Sequence, residues 1–124
     1  MKTVLCFGNE FIKEDSLAKE IADELFIKNV RFVKCDNLSE ILEYREENLY
    51  ILDVAEGIDE VKVIEDIDNI NTRNIISLHD FDLGYFLRLM KENGKIKKIR
   101  VIAIPFGFDK DKAKEELRKV FSDV

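Results

Sequence analysis

The chain has 124 residues, of which 46% are hydrophobic and 37% are charged. This length suits one domain spanning residues 1–124, since single domains commonly hold about 100–150 residues, and the apolar share is too high for a disordered chain. The formal net charge of −6 repels phosphate backbones and anionic lipid, which argues against a nucleic-acid or membrane partner. We expect a soluble globular protein.

Targeting signals and cysteine motifs are not evident. No apolar segment reaches the roughly 20 residues of a membrane-spanning helix, and the first apolar run stops at Gly8, too early for a signal peptide. We therefore expect a cytoplasmic protein. Cys6 and Cys35 form no C-x-x-C pair, which argues against a disulfide framework or zinc ribbon and indicates buried free thiols.

The first predicted unit is a strand followed by a helix. Residues 3–7 are a continuous β-prone run closed by Gly8 and Asn9, typical of a strand covered on both faces. A helix is predicted from Asp15, because apolar residues then recur at spacings of three and four. Its predicted inner stripe is Leu17, Ile21, Ala22, Leu25 and Phe26.

The middle of the chain predicts two more strands. Residues 30–34 form the second, and a short helix capped by Asn37 or Ser39 and ending at Tyr44 should follow it. Residues 48–54 form the third predicted strand, and the apolar run within it reaches a carboxylate at Asp53. This placement predicts that Asp53 lies at the rim of the sheet rather than in the core.

An edge strand and a long helix are predicted next. Residues 60–67 alternate apolar and charged side chains, which is typical of an edge strand with one wet face. Ser77 and Asp80 have the spacing of a capping box and predict a helix that begins at Ser77. Asn93-Gly94 should end it. Its predicted inner face is Phe81, Leu83, Tyr85, Phe86, Leu87, Leu89 and Met90.

The last strand and helix complete the predicted fold. Residues 98–104 form the strand, and Asp109 or Asp111 should cap a final helix that buries Ala113, Leu117, Val120 and Phe121. Strands joined through helices usually run parallel, because the crossover is right-handed. The pattern predicts an α/β fold: a three-layer α/β/α sandwich around a mostly parallel, twisted sheet of about five strands.

Ligands of such sheets bind beyond the carboxyl ends of the strands, where the strand order reverses. That rule selects four places in this sequence: residues 8–15, Asp36, residues 53–57 and residues 77–82.

Two carboxylates and one imidazole should meet at this edge. Asp15 and Asp53 follow different predicted strands, and His79 is the single histidine of the chain. Carboxylate and neutral imidazole together form a ligand set for a divalent transition metal. Plainer interpretations stay open, because acids also cap helices and turns and a lone histidine is commonly a surface residue.

The pattern resembles the hydrogenase maturation endopeptidases. Residues 4–15 look like the opening strand of that family, with its Gly-Asn turn at Gly8 and Asn9 and an acidic pair at Glu14 and Asp15. Residues 50–55 look like the strand that carries the second acid. Residues 77–79 look like the segment that carries the family histidine.

The resemblance implies an endopeptidase that removes the C-terminal extension of a nickel–iron hydrogenase large-subunit precursor after nickel insertion. It implies that Asp15, Asp53 and His79 contact the nickel and carry the catalysis. Gly8, Asn9 and Glu14 would bind substrate. The nickel would be carried by the substrate, and the partner would be the large-subunit precursor. The polar outer helix faces favour a monomer.

Two other function classes stay open. A response-regulator receiver also carries an Asp at the end of its third strand, so Asp53 would be its phosphoacceptor. Receivers, however, have an acidic pair directly after the first strand and a Lys before the proline of the last, where this chain has Gly8 and Ile104. A non-catalytic binding module of the same fold would bind the precursor without cleaving it.

Overall fold

The computed structural model describes residues 1–45, 48–65, 77–78, 81–96 and 98–122. Within these residues, six strands form one sheet and four helices pack beside it. The strands are β1 (Lys2–Cys6), β2 (Val30–Lys34), β3 (Asn48–Glu56), β4 (Lys62–Ile64), β5 (Ser77–Leu78) and β6 (Ile99–Pro105). The helices are α1 (Leu17–Glu24), α2 (Glu40–Glu43), α3 (Phe81–Glu92) and α4 (Lys110–Val120).

The sheet has the order β2-β1-β3-β6-β4, with β5 added beside the end of β3. The four strands β2, β1, β3 and β6 run parallel. The edge strand β4 is antiparallel to β6, and β5 is antiparallel to the last two residues of β3. The predicted α/β fold with a mostly parallel sheet is therefore confirmed.

Each face of the sheet is covered by helices, which gives the three predicted layers. Successive strand residues point to opposite faces. Tyr50 and Leu52 therefore pack with side chains of α1 and α4, whereas Ile51 packs with side chains of α2 and α3. Burying each Leu or Ile stabilises the fold by roughly 1.5–3 kcal/mol, so the two apolar layers fix the sheet between the helices.

Three residues assigned to inner helix faces are on the outside instead. Phe26 follows Leu25, the C-cap of α1, and is 83% exposed. Tyr85 and Leu89 are 60% and 38% exposed. The buried face of α3 contains Leu83 and Leu87, and a residue two positions further along a helix points away from that face. Apolar character alone therefore does not determine whether these three side chains are buried.

The predicted start of α3 is wrong. Ser77 lies in β5, where it pairs with Glu56, and α3 begins at Phe81, so the capping box that was predicted to open the helix does not do so. Asp80, the other residue of that capping box, lies outside the described residues, as does His79. The predicted stop is confirmed, because α3 ends at Glu92 and Gly94 has a φ of +69°, a conformation that favours glycine.

The other caps divide between confirmed and corrected predictions. Asp109 caps α4 by accepting a hydrogen bond from the Lys112 amide at 2.9 Å. At α2 Ser39, one of the two predicted residues, holds the N-cap position, but its side chain makes no capping hydrogen bond. The Glu40 carboxylate instead accepts from the amides of Asp36 and Asn37, both at 2.8 Å. A carboxylate is favourable at this position because helix N-termini carry partial positive charge.

The predicted edge strand is confirmed over Lys62–Ile64, at the side of the sheet beyond β6. Residues 66 and 67 of the predicted range lie outside the described structure. None of the helices in the described part of the chain is long and apolar enough to cross a membrane.

Candidate active site

The strand order locates one crevice at the carboxyl edge of the sheet. The chain runs from β1 to β2 on one side of β1 and then returns to β3 on its other side. Connections therefore leave β1 and β3 in opposite directions, which opens a crevice between their carboxyl ends. The loop after β1 contains Gly8, Asn9 and Asp15, and β3 contains Asp53.

Gly8 and Asp15 are in contact through their backbones. Gly8 has a φ of +142°, and a Cβ atom built on it would lie 2.0 Å from the Asp15 carbonyl oxygen. No side chain fits that space, and L-residues rarely adopt that φ. The loop therefore closes on itself only with glycine at position 8, and this closure holds Asp15 beside the end of β1.

The Asp15 carboxylate is held by the same loop. Its Oδ2 accepts a hydrogen bond from the Asn9 amide at 3.0 Å, and the Asn9 side chain in turn accepts from the Phe11 amide at 2.9 Å. Backbone bonds from Ile12 to Asn9 and from Asp15 to Ile12 complete two consecutive turns. Asp15 is half-buried, so one side of the carboxylate is fixed while the residue still reaches solvent.

Helix α1 begins directly after this loop. Ser16 is its N-cap residue, one position later than the predicted start at Asp15. The Ser16 hydroxyl lies 3.0 Å from the Lys13 carbonyl and 2.5 Å from a Glu20 carboxylate oxygen. The first turn of α1 is thereby tied to the loop that carries Asp15.

Asp53 is fully buried, which corrects the predicted position at the rim. Strand β3 continues through Glu56, three residues past Asp53, and its neighbour β6 pairs Ala103 with Asp53. By strand alternation its side chain shares the face of Ile51 and Ala55, which α2 and α3 cover. A carboxylate at this depth interacts more strongly with an approaching cation than one in water does.

His79, the third predicted site residue, lies outside the described residues. Its chain neighbour Leu78 pairs with Ala55, two residues beyond Asp53 on β3. Across the part of the chain that the structure describes, no group of three His, Cys, Asp or Glu side chains is arranged to hold a metal. The arrangement of the predicted three-residue set therefore remains a prediction.

The predicted substrate-binding residue Glu14 lies on the rim of a groove. The groove has a volume of about 420 Å³ and runs between the loop after β1 and the loop after β6. Its lining residues are Lys13, Glu14, Leu17, Glu20, Gly107, Phe108, Asp109 and Lys110. Gly8 and Asn9 face Asp15 and shape the loop.

Asp36, which the strand-end rule also selected, forms an ion pair. Its Oδ1 lies 2.6 Å from the Nζ of Lys19, and this hydrogen bond holds the pKa of Asp36 below its ordinary value of 3.8. Lys19 is only 5% exposed, and the sequence analysis missed it. Helix periodicity gave no signal for it, because Lys19 is not on the predicted inner stripe and burial of its side chain depends on the ion pair with Asp36.

The two thiols are confirmed as buried and free. Burial is the main cause that raises the pKa of Cys35 to about 12, and it also raises the pKa of Cys6, with smaller contributions from Cys35 and Asp53. Thiols that stay protonated at neutral pH are poor nucleophiles. Neither buried thiol is therefore a good candidate for a nucleophile.

These observations define the class of protein: it has an open α/β fold with two carboxylates at the crevice formed by the strand ends. No protein-family model and no curated protein matches the sequence. Two solved structures share the fold over almost the whole chain.

The first is the NiFe hydrogenase maturation protease HybD from Thermococcus kodakarensis, with a TM-score of 0.67 and 20% identity over 97% of this chain and 99% of that one. The second is a hydrogenase 3 maturation protease, with a TM-score of 0.60 and 21% identity over 96% of this chain and 87% of that one. The chain therefore has the fold of these maturation proteases, and the resemblance seen in the sequence is confirmed at the level of fold.

Proposed function

We propose that this protein is an endopeptidase that removes the C-terminal extension of a nickel–iron hydrogenase large-subunit precursor after nickel insertion. The observation that carries the proposal is the pair of carboxylates at the crevice: Asp15, locked by Gly8 and Asn9, and Asp53, buried in the neighbouring strand. The fold shared with two maturation proteases supports it. In this proposal the protein acts as a monomer in the cytoplasm.

The nickel belongs to the substrate in this proposal. Asp15 and Asp53 would offer carboxylate oxygens and His79 an imidazole nitrogen, which are ligand types that divalent nickel accepts. When bound, the metal supplies a Lewis acid that polarises a carbonyl or activates water. Asp15 is half-buried and Asp53 fully buried, so contact with both requires the nickel to enter the crevice.

The receiver hypothesis is disfavoured by the topology of the sheet. Receiver-type sheets have the order 2-1-3-4-5, whereas here the strand following β3 in the sheet is β6 and the edge strand is antiparallel.

The test is an incubation of the purified protein with the large-subunit precursor, prepared with and without nickel and followed by mass spectrometry of the tail. Loss of the tail from the nickel-loaded precursor alone is the expected result. His79→Gln should lower the cleavage rate by about 100-fold or more, the usual range for removing a group that acts on the reacting atoms. Equal cleavage of both precursor forms would contradict nickel recognition, and binding without cleavage would favour the non-catalytic module.

A further inference from the structure

Three large apolar side chains are exposed on the loops that follow β1 and β6 at the carboxyl edge. Phe11 is 96% exposed, Ile12 48% and Phe106 46%. Phe11 and Ile12 belong to the loop that carries Asp15, and Phe106 directly follows β6. We call these three residues the apolar rim. Lys13 and Gly107, the chain neighbours of Ile12 and Phe106, line the same groove, so the two loops lie close together. Exposed apolar residues beside such a groove are typical of protein interaction sites.

The apolar rim is displayed by ordered backbone. The Phe11 amide donates to the Asn9 side chain at 2.9 Å, and the Ile12 carbonyl accepts from the amides of Asp15 and Ser16 at 3.0 and 2.9 Å. The Phe106 amide donates to the Ala55 carbonyl at 3.0 Å, which fixes it beside the strand that carries Asp53. Side chains held out by fixed backbone lose less entropy when a partner binds.

The loops at the same edge of the sheet as the apolar rim are rich in acidic residues. The loops that follow β1, β3 and β6, with the first residue of β4 and the ends of the neighbouring elements, carry an excess of acids over bases. The acids are Glu10, Glu14, Asp15, Glu56, Asp59, Glu60 and Asp109, and the bases are Lys13, Lys62 and Lys110. A partner that covers this edge therefore needs positive charge around an apolar centre.

We infer that the apolar rim is a docking surface for the substrate protein, which would present an apolar patch flanked by basic residues. This inference rests on the proposed function, since a precursor whose cleavage site reaches Asp15 and Asp53 must lie over this edge. The adjoining 420 Å³ groove continues the surface between the loops after β1 and β6. Its volume is within the range of ligand pockets, so it accepts a short polypeptide segment next to the docked patch.

The chain offers a matched control. Phe26 is 83% exposed, but it follows the C-terminal end of α1, whereas the apolar rim lies near the N-terminal end of that helix. Replacing Phe26 by Ser therefore removes an exposed ring of the same kind away from the crevice. Because Phe11 and Phe26 are both largely in solvent, neither replacement should disturb folding.

The test measures the Kd of the nickel-loaded precursor for the Asp53→Asn protein with Phe11→Ser, Phe106→Ser or Phe26→Ser added. KM and kcat for the same three substitutions are measured in the otherwise unchanged protein. Each rim substitution should raise Kd and KM about tenfold, the usual effect of truncating a central interface aromatic, and leave kcat unchanged. Phe26→Ser should change Kd less than twofold.

Equal Kd values for all three variants would overturn the docking surface. If Asp53→Asn alone abolishes binding, equal KM values for the three substitutions would overturn it. Normal cleavage with unchanged KM in the rim variants would overturn it while the proposed protease function stands. Weaker binding by the rim variants, with no cleavage by the unchanged protein, would retain the docking surface and reject the protease.

Discussion

Two loops at the carboxyl edge each present an aspartate, and they hold it differently. The loop after β1, residues 7–16, fixes Asp15 by a backbone hydrogen bond from Asn9 and by the close approach of Gly8. In the loop after β2, residues 35–39, the Asp36 side chain is 79% exposed and pairs with the buried Lys19. The first loop therefore depends on backbone shape, and the second on a charge pair.

Gly8→Ala should produce the largest effect, because the added Cβ meets the Asp15 carbonyl oxygen at 2.0 Å. We expect a loss of about 3 kcal/mol in the free energy of unfolding, because alanine at position 8 would be strained by the positive φ and would also clash with the backbone. Urea unfolding measures it. Gly107→Ala is the control: φ there is +75°, but no described atom lies within 4 Å of the added Cβ, so about 1 kcal/mol is expected.

Asn9→Ala should have an intermediate effect on stability. It removes the side-chain acceptor of the Phe11 amide, and one such hydrogen bond contributes about 1 kcal/mol. Asp15→Asn keeps an oxygen acceptor for the Asn9 amide and should change stability by less than about 0.5 kcal/mol, while abolishing cleavage. Thermal or urea unfolding with parallel cleavage assays separates the two. A stable, active Asp15→Asn protein would show that only the loop shape matters.

Asp36→Asn should give a small, pH-dependent loss. Lys19 lowers the pKa of Asp36 below 3.8, so the stabilisation is fully present above pH 3.8 and is lost as the pH falls through the lowered pKa. The urea midpoints of the two proteins should thus differ at pH 7 and converge in acid. In a Lys19→Met background the substitution should have no effect at either pH. A constant difference across pH would contradict the charge pair.

The thiols next to the two loops should show almost no reaction. Cys6 and Cys35 are buried, and the pKa of Cys35 is raised to about 12. A thiol reagent at pH 8 should leave both unmodified in the folded protein and modify both in urea. Rapid modification of Cys35 in the folded state would mean that the loop after β2 opens easily.

Much of the fold was predictable because the spacing of apolar residues along the chain reflects which faces of a strand or helix are buried. The central parts of β1, β3 and β6, at residues 4–6, 49–52 and 101–104, are continuous apolar runs, which is what two covered faces require. Strand β5 was missed because a strand of two residues is too short to show an alternating pattern. It forms by pairing with Ala55 and Glu56, which lie far from it in the sequence. The burial of Lys19 depends on an acid 17 residues away, which helix periodicity does not contain.

The candidate site was predictable in its residue types but only partly in its geometry. The Gly8-Asn9 turn and the acid at position 15 were recognisable in the sequence. The contact between Gly8 and the Asp15 carbonyl was not, because it depends on how the loop folds back on itself. Asp53 was placed at the strand end because its apolar run ends on this carboxylate and the predicted strand stops at Val54. Strand β3 instead continues through Glu56, where it pairs with β5 and β6, and Asp53 is fully buried.

The most direct test of the account is the charge at Asp53. Asp53→Asn keeps the shape of the side chain and removes its charge, and Asp23→Asn makes the same change at an exposed acid whose partner is Lys34 at 3.0 Å. With circular dichroism confirming both folds, mass spectrometry of the nickel-loaded precursor should show tail removal by the unchanged protein and by Asp23→Asn, and none by Asp53→Asn. Tail removal by Asp53→Asn at the unchanged rate would contradict the central claim.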